Sequence, residues 1–237
     1  MNIFFYSKTD ELENAFKGYG HKTYSYNKNK DWVATEYDLA YVEEDGYFDG
    51  GILSSPSFEK SKFFYKLDDI EPKRGNESLI EKADILFTSN FEKNRIKGSK
   101  WLNWYAEPRE LKKEYDSFHT SCHAHESKED FQKSNFLVLD CNLDSVPKII
   151  FEAMAAKTLV LCKKPKNEED FNLIFENNVH ILFFEDHKDC KQKIFIHKNS
   201  PEDFFDITKR SFEKVVKFHS PKERAKDIFK FYKGKVL

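Results

Sequence analysis

Cysteine is scarce: Cys122, Cys141, Cys162 and Cys190 are the only four in 237 residues, well short of a disulfide scaffold. No apolar run approaches the roughly 20 residues that span a bilayer. The opening Met1-Asn2-Ile3-Phe4-Phe5 has neither the basic flank nor the long apolar core of an export signal. These absences point to a reducing, cytoplasmic setting. Also missing are a Gly-x-Gly-x-x-Gly turn and a Walker loop, which argues against a nicotinamide oxidoreductase and a P-loop hydrolase. There is no internal repeat, no low-complexity tract and no Gly/Ser linker, so a domain boundary has to be read from periodicity.

What is present suits a folded globular chain. Apolar residues make up 39% and charged residues 34%, a balance that excludes wholesale disorder. Aromatics reach 16%, with 24 Phe supplying core bulk in place of Leu and Val. The net charge is only -2, yet from Lys209 to Leu237 ten Lys or Arg face three acidic residues, a local +7. Such a segment is either a solubilising helix face or a surface for nucleic acid, phosphate or membrane.

Strand and helix patterns alternate along the chain. Asn2 to Tyr6, His21 to Tyr26, Tyr37 to Val42, Lys62 to Leu67, Asp84 to Thr88 and Trp101 to Tyr105 read as strands, with helices over Asp10 to Phe16 and from Asn76 to Lys82. Strand, helix, strand at this spacing implies parallel units. In the second half, Arg109 to Phe118 is weakly helical and Glu129 to Lys133 a short helix before the strand Phe136 to Asp140. Pro147 to Ala156 is the clearest amphipathic helix, with Pro at a tolerated first position. A strand at Thr158 to Cys162, a helix over Asn167 to Asn177, a strand at His180 to Phe184 and terminal helices over Pro201 to Phe218 and Pro221 to Tyr232 complete the series. The expected division is an N-terminal Rossmann-like domain over 1–106, a second over 107–218, and a basic helix in 219–237 packing back on the first.

The segment Asp144-Ser145-Val146-Pro147-Lys148-Ile149-Ile150-Phe151-Glu152-Ala153-Met154-Ala155-Ala156-Lys157-Thr158-Leu159-Val160 concentrates chemistry. Asp144 follows a strand and Glu152 lies inside the next helix, so both belong near the carboxyl edge of a sheet, where ligands of open α/β folds bind. Helix N-terminal amides around Ser145 to Lys148 suit a diphosphate, Lys148 adds positive charge, and a carboxylate such as Glu152 can accept paired hydrogen bonds from ribose hydroxyls. The alternative for Glu152 is an ordinary exposed helix position.

This string resembles the donor-site signature of retaining GT-B glycosyltransferases of the group 1 type. That signature has two acidic residues around seven others, a Glu-Ala-Met-Ala stretch and a following apolar strand. Here the first acid is Asp144, where the family usually has Glu, and Lys157-Thr158 stand where Gly-Pro is familiar. Looser likenesses lie in Gly20-His21-Lys22-Thr23-Tyr24-Ser25-Tyr26, Ala83-Asp84-Ile85-Leu86-Phe87-Thr88-Ser89-Asn90, Asn135 to Cys141, Glu168-Glu169-Asp170 and Asn178 to Phe184. The strand pair that normally opens the second domain of such enzymes is hard to find between Trp104 and Phe136.

The resemblance implies a compact α/β, GT-B-like fold, two Rossmann-type domains facing across a cleft. It implies transfer of a sugar from a nucleotide diphosphate sugar to an acceptor hydroxyl, with retention and without an obligatory metal or other cofactor. Asp144 would act on the sugar, with Ser145, Lys148, Glu152, Lys163 and Arg74 holding the nucleotide diphosphate. Asp69, at the end of Phe63 to Leu67, is the candidate for orienting or deprotonating the acceptor, the alternative being a loop cap. His119, Cys122, His123 and His125 are dense enough to raise zinc, but no second pair follows at closed-site spacing. His123 is the residue of this group assigned to the transferred sugar. Trp101 and Trp104 are candidates for ring stacking or for packing. The acceptor is a glycan, a small molecule or a hydroxymethylated DNA base. The competing expectation is a noncatalytic nucleotide-binding or assembly protein that kept a degenerate form of the fold.

Overall fold

The protein is described here from a computed structural model covering residues 1–7, 10–26, 36–43, 50–67, 77–88, 99–102, 104, 106–108, 118–121, 134–140, 143 and 146–234. Contacts divide the chain into two compact units, Met1–Asn103 with Pro221–Leu237, and Trp104–Ser220.

The first unit is built on a six-stranded parallel sheet. Its elements run β1 (Asn2–Tyr6), α1 (Glu11–Gly18), β2 (Lys22–Ser25), β3 (Leu39–Glu43), β4 (Lys62–Leu67), α2 (Glu77–Lys82), β5 (Ile85–Thr88) and β6 (Lys100–Trp101). The strand order is β2-β1-β3-β4-β5-β6, so successive connections leave β1 in opposite directions and the topological switch falls between β1 and β3. Every residue of β3 is buried, as are four of five in β1, the near-continuous apolar run of strands covered on both faces. Phe supplies much of that bulk: Phe4 meets Phe58 edge-on at 5.0 Å, and Phe58 stacks on Tyr37 at 4.8 Å. Glu43 ends β3 almost wholly buried, accepting hydrogen bonds from Ser7 Oγ (2.5 Å) and from the Tyr41 hydroxyl (3.1 Å).

The second unit carries a four-stranded parallel sheet in the order β10-β9-β8-β7. Its elements are β7 (Phe118–Ser121), β8 (Phe136–Leu139), α3 (Lys148–Ala155), β9 (Leu159–Lys163), α4 (Glu168–Asn172), β10 (Leu182–Phe184), α5 (His187–Asn199) and α6 (Phe205–Phe218). Helix α3 ends in a Schellman turn: Lys157 N–H donates to Met154 O (3.0 Å) and Thr158 N–H to Ala153 O (2.9 Å), with Lys157 at φ 54°. The next residues are pinned to the start of β8, Thr158 Oγ1 donating to Ser134 O and Leu159 N–H to Asn135 O, each at 3.0 Å. One face of the sheet packs Phe136, Val138, Leu159, Leu161, Leu182 and Phe184 against Cys190, Ile194 and Ile207. Phe151 of α3 contacts the rings of Phe175 (5.0 Å) and His219 (5.1 Å).

The last helix, α7 (Pro221–Tyr232), belongs to the first unit. Phe229 stacks on His21 at 4.7 Å and lies 5.9 Å from Phe16, while Phe231 meets Phe87 edge-on at 5.1 Å.

The fold class is the expected one, α/β with two Rossmann-type units, but several elements differ. A strand, β7, begins at Phe118 where a weakly helical stretch is expected to end; residues 109–117 and the expected helix over 129–133 lie outside the described residues. Strand β6 is two residues long rather than the expected five, with 103 and 105 outside the described residues. Helix α4 stops at Asn172 instead of Asn177 because asparagine side chains take over the backbone hydrogen bonds. Asn172 Oδ1 accepts from Asn177 N–H (3.0 Å), Asn177 Oδ1 accepts from Phe183 N–H (2.9 Å), and Asn178 sits at φ 60°. Helix α5 has no counterpart in the expected series.

Candidate active site

Helix α3 is buried at every position except Lys148 and Glu152, both of which are partly exposed. Being four residues apart they share one face, and Lys148 Nζ lies 4.0 Å from Glu152 Oε1. The lysine is also placed from below: its ammonium sits 5.6 Å from the ring centroid of Trp104, which is 9% exposed. Trp104 therefore packs under the lysine instead of offering a free stacking surface. The helix starts at an extended Pro147 (φ -70°, ψ 155°), which supplies no side-chain cap, and the positive end of a helix favours anions. A polar window on a buried helix at the carboxyl side of β8 is thus made of one ammonium, one carboxylate and a helix N-terminus.

A second polar group lines the carboxyl ends of β8, β9 and β10. Asp140, just past β8, holds Lys163 Nζ at 3.4 Å through Oδ1 and His187 Nε2 at 3.3 Å through Oδ2. Lys163 is the last residue of β9, so Asp140 fixes a mobile cation at the sheet edge. Lys164 reaches Glu185 (3.1 Å) and Glu168 (3.5 Å), and its pKa is raised mainly by the hydrogen bond to Glu185, with Glu168 adding to it. Beneath them, burial pushes the Cys190 thiol up, and the charge of Asp140 pushes in the same direction. Asp186 caps α5, accepting from Asp189 N–H at 2.8 Å, and so fixes His187 at the start of that helix.

Of the residues assigned from the sequence, the structure places Lys148 and Glu152 together on α3 and Lys163 at the end of β9. Asp69, Arg74, His123, Asp144 and Ser145 lie outside the described residues, as do Cys122 and His125; His119 falls within β7. Among the described residues no group of three or more His, Cys, Asp or Glu is placed to hold a metal ion. Asp140 and His187 were not singled out in the sequence. An acid directly after an apolar strand was the available signal for Asp140; nothing local marks His187, which depends on the unanticipated α5.

Two parallel sheets, a buried helix presenting Lys148 and Glu152, and cations at the strand ends define an α/β protein with its polar groups gathered at a sheet's carboxyl edge, where open α/β folds bind their ligands. The chain belongs to the glycosyl transferase-like family, whose model matches residues 77–230. No curated protein matches it by sequence. Similar solved structures include a glycosyltransferase from Rickettsia africae, at 10% identity and a TM-score of 0.61, covering 99% of this chain and 98% of that one. Sucrose-phosphate synthase from Thermosynechococcus elongatus matches at 10% identity and a TM-score of 0.64, covering 98% of each chain. Anabaena HepE, solved with UDP and glucose, matches at 10% identity and a TM-score of 0.61, covering 99% of this chain and 100% of that one. At such identities the likeness establishes the fold, two Rossmann-type domains of the GT-B kind. Among the described residues no helix is long and apolar enough to cross a membrane.

Proposed function

We propose that the protein transfers a sugar from a nucleoside diphosphate sugar to an acceptor hydroxyl with retention of configuration. The observation that carries this reading is the Lys148–Glu152 window, the polar and partly exposed side of α3. Glu152 accepts hydrogen bonds from the ribose hydroxyls of the donor. The N-terminus of α3, Lys148 and the Asp140-held Lys163 face the diphosphate, whose negative charge grows as the bond from the sugar's anomeric carbon to the phosphate oxygen breaks. The acceptor oxygen forms the new bond to that carbon, and its proton leaves with the diphosphate. From the sequence we assign Asp144 to the sugar, Ser145 and Arg74 to the phosphates, His123 to the sugar's environment and Asp69 to the acceptor. A cytoplasmic setting accords with the buried thiols of Cys162 and Cys190.

HepE has been solved with UDP-glucose, which makes that compound the first donor to try. Calorimetric titration with UDP-, GDP-, ADP- and dTDP-sugars should find a binder that is also turned over. Glu152→Gln should weaken nucleotide binding by roughly 10- to 150-fold, the scale of losing charge-assisted hydrogen bonds worth ~1.5–3 kcal/mol. Asp144→Asn should spare nucleotide binding and impair use of the sugar. Absence of binding to any nucleotide sugar by the folded protein would leave a noncatalytic relative of the family as the correct reading.

A further inference from the structure

The +7 stretch at the C-terminal end is split by the fold, its first part lying in α6 and its second in α7. On α7 the charges are ordered. Lys222, Lys226, Lys230 and Lys233, at and just beyond the helix, are all exposed. At 100° per residue they share an arc of about 80° and run along ~16 Å of helix axis. The opposite side is committed to the core, with Pro221, Arg224, Ala225 and Ile228 buried.

The chemistry of this stripe narrows the partner. None of the exposed large hydrophobic side chains among the described residues lies on α7, so the helix has no apolar group to insert into a lipid interface. Two carboxylates flank the stripe: Glu223 pairs with Lys226 at 2.6 Å, and Asp227 with Arg224 at 2.9 Å and Lys230 at 3.4 Å. Arg224 is buried and keeps Asp227 in place, whereas the two pairs made by the exposed Lys226 and Lys230 contribute little and yield readily to a stronger anion. Four lysines on one side of a helix over ~16 Å of axis present a strip of positive charge complementary to the dense line of phosphates along a duplex, one every ~3.4 Å of axis on each strand.

We propose that the exposed lysine face of α7 is a docking surface for the phosphodiester backbone of duplex nucleic acid. The contact is electrostatic and independent of base sequence, and it serves to hold the nucleic acid on the first unit. It does not depend on the glycosyl-transfer reading.

The test is fluorescence anisotropy with a labelled 24-base-pair DNA duplex (about two helical turns) over a series of NaCl concentrations. Four neutralised phosphates give a slope of log K against log salt of about -3.6, or roughly 100-fold weaker binding between 50 and 200 mM salt. The quadruple variant Lys222→Gln, Lys226→Gln, Lys230→Gln, Lys233→Gln should lose most of that slope. A control removes three exposed lysines from α5, as Lys188→Gln, Lys191→Gln, Lys198→Gln, and should keep it. Circular dichroism on both variants verifies folding. Equal loss of slope in the control would reduce the effect to overall charge and overturn the assignment. So would absence of duplex binding at 50 mM salt, or binding to phosphatidylserine vesicles in its place. UDP-glucose titration in parallel separates the two proposals, since a protein that ignores the donor can still show the DNA slope.

Discussion

Lys157 offers the sharpest check on how the donor helix is held. It closes α3 at φ 54°, a conformation that costs an L-residue about 1–2 kcal/mol, and its ammonium lies 4.8 Å from the centroid of Phe212. Lys157→Gly removes the strain, gives up a cation–π contact worth ~0.5–1 kcal/mol, and restores ~0.5–1 kcal/mol of unfolded-chain entropy. The three changes offset one another, so the glycine variant should stay within about 0.5 kcal/mol of the parent. Lys157→Val keeps the left-handed backbone, adds a β-branch that this region excludes and also loses Phe212, for a loss of about 1.5–3 kcal/mol. Urea unfolding followed by tryptophan fluorescence reads the difference directly. With a slope of ~1–3 kcal/mol per molar, the valine midpoint should fall by roughly 1 M while the glycine midpoint hardly moves. Equal midpoints for the two variants would refute the left-handed turn and with it the account of how α3 is set on β9.

Two further outcomes follow from the half-buried His180 and the buried Arg224. His180 has its pKa lowered to about 4, first by burial and then by Lys214 and Arg210, and its Nδ1 accepts the Glu176 N–H at 3.2 Å, which requires an unprotonated ring nitrogen. Because the folded value lies below the ordinary 6.5, the unfolded chain binds the proton first. The stabilisation is complete above pH 6.5 and is lost as pH falls toward 4. After allowance for partial exposure this amounts to about 1–2 kcal/mol, and His180→Asn should flatten the decline measured by urea midpoints across that window. Arg224 is 5% exposed and bound to Asp227, so Arg224→Met should lower stability by about 1–3 kcal/mol yet leave the salt slope of DNA binding unchanged. A shifted slope would move Arg224 onto the docking face.

Much of the architecture was legible because its strands are short apolar runs and α3 has an unbroken buried face. Ile149, Ile150, Phe151, Ala153, Met154 and Ala155 announce that helix from any periodicity. Helix α5 was not legible. Its inward side consists of Cys190, Ile194 and His197, the histidine packing on Phe136 at 4.2 Å and Phe204 at 5.1 Å, while Phe195 points outward at 68% exposure. An aromatic on the wet side and an imidazole on the dry side erase the 3.6-residue signal. Strand β7 was missed for a related reason: Phe-His-Thr-Ser has one strongly apolar residue, and its place is set by pairing with β8, a tertiary fact. At the site, Lys148 and Glu152 came from a local string and Lys163 from the basic residues just after it, whereas Asp140 and His187 meet only because β8 and β10 flank β9 in one sheet.

The return of α7 to the first unit sets an order on biosynthesis. The six strands of that unit are all made before residue 102, yet the rings of Phe16, His21 and Phe87 gain their partners Phe229 and Phe231 only after the whole second unit has been translated. Nascent domains generally fold in the sequence in which they emerge. Here the earlier domain must wait, with an apolar flank uncovered, while the later one can finish on its own. The interval is a window for chaperone capture, and shortening it by moving α7 ahead of β1 in a circular permutant would let the first unit close as it leaves the ribosome.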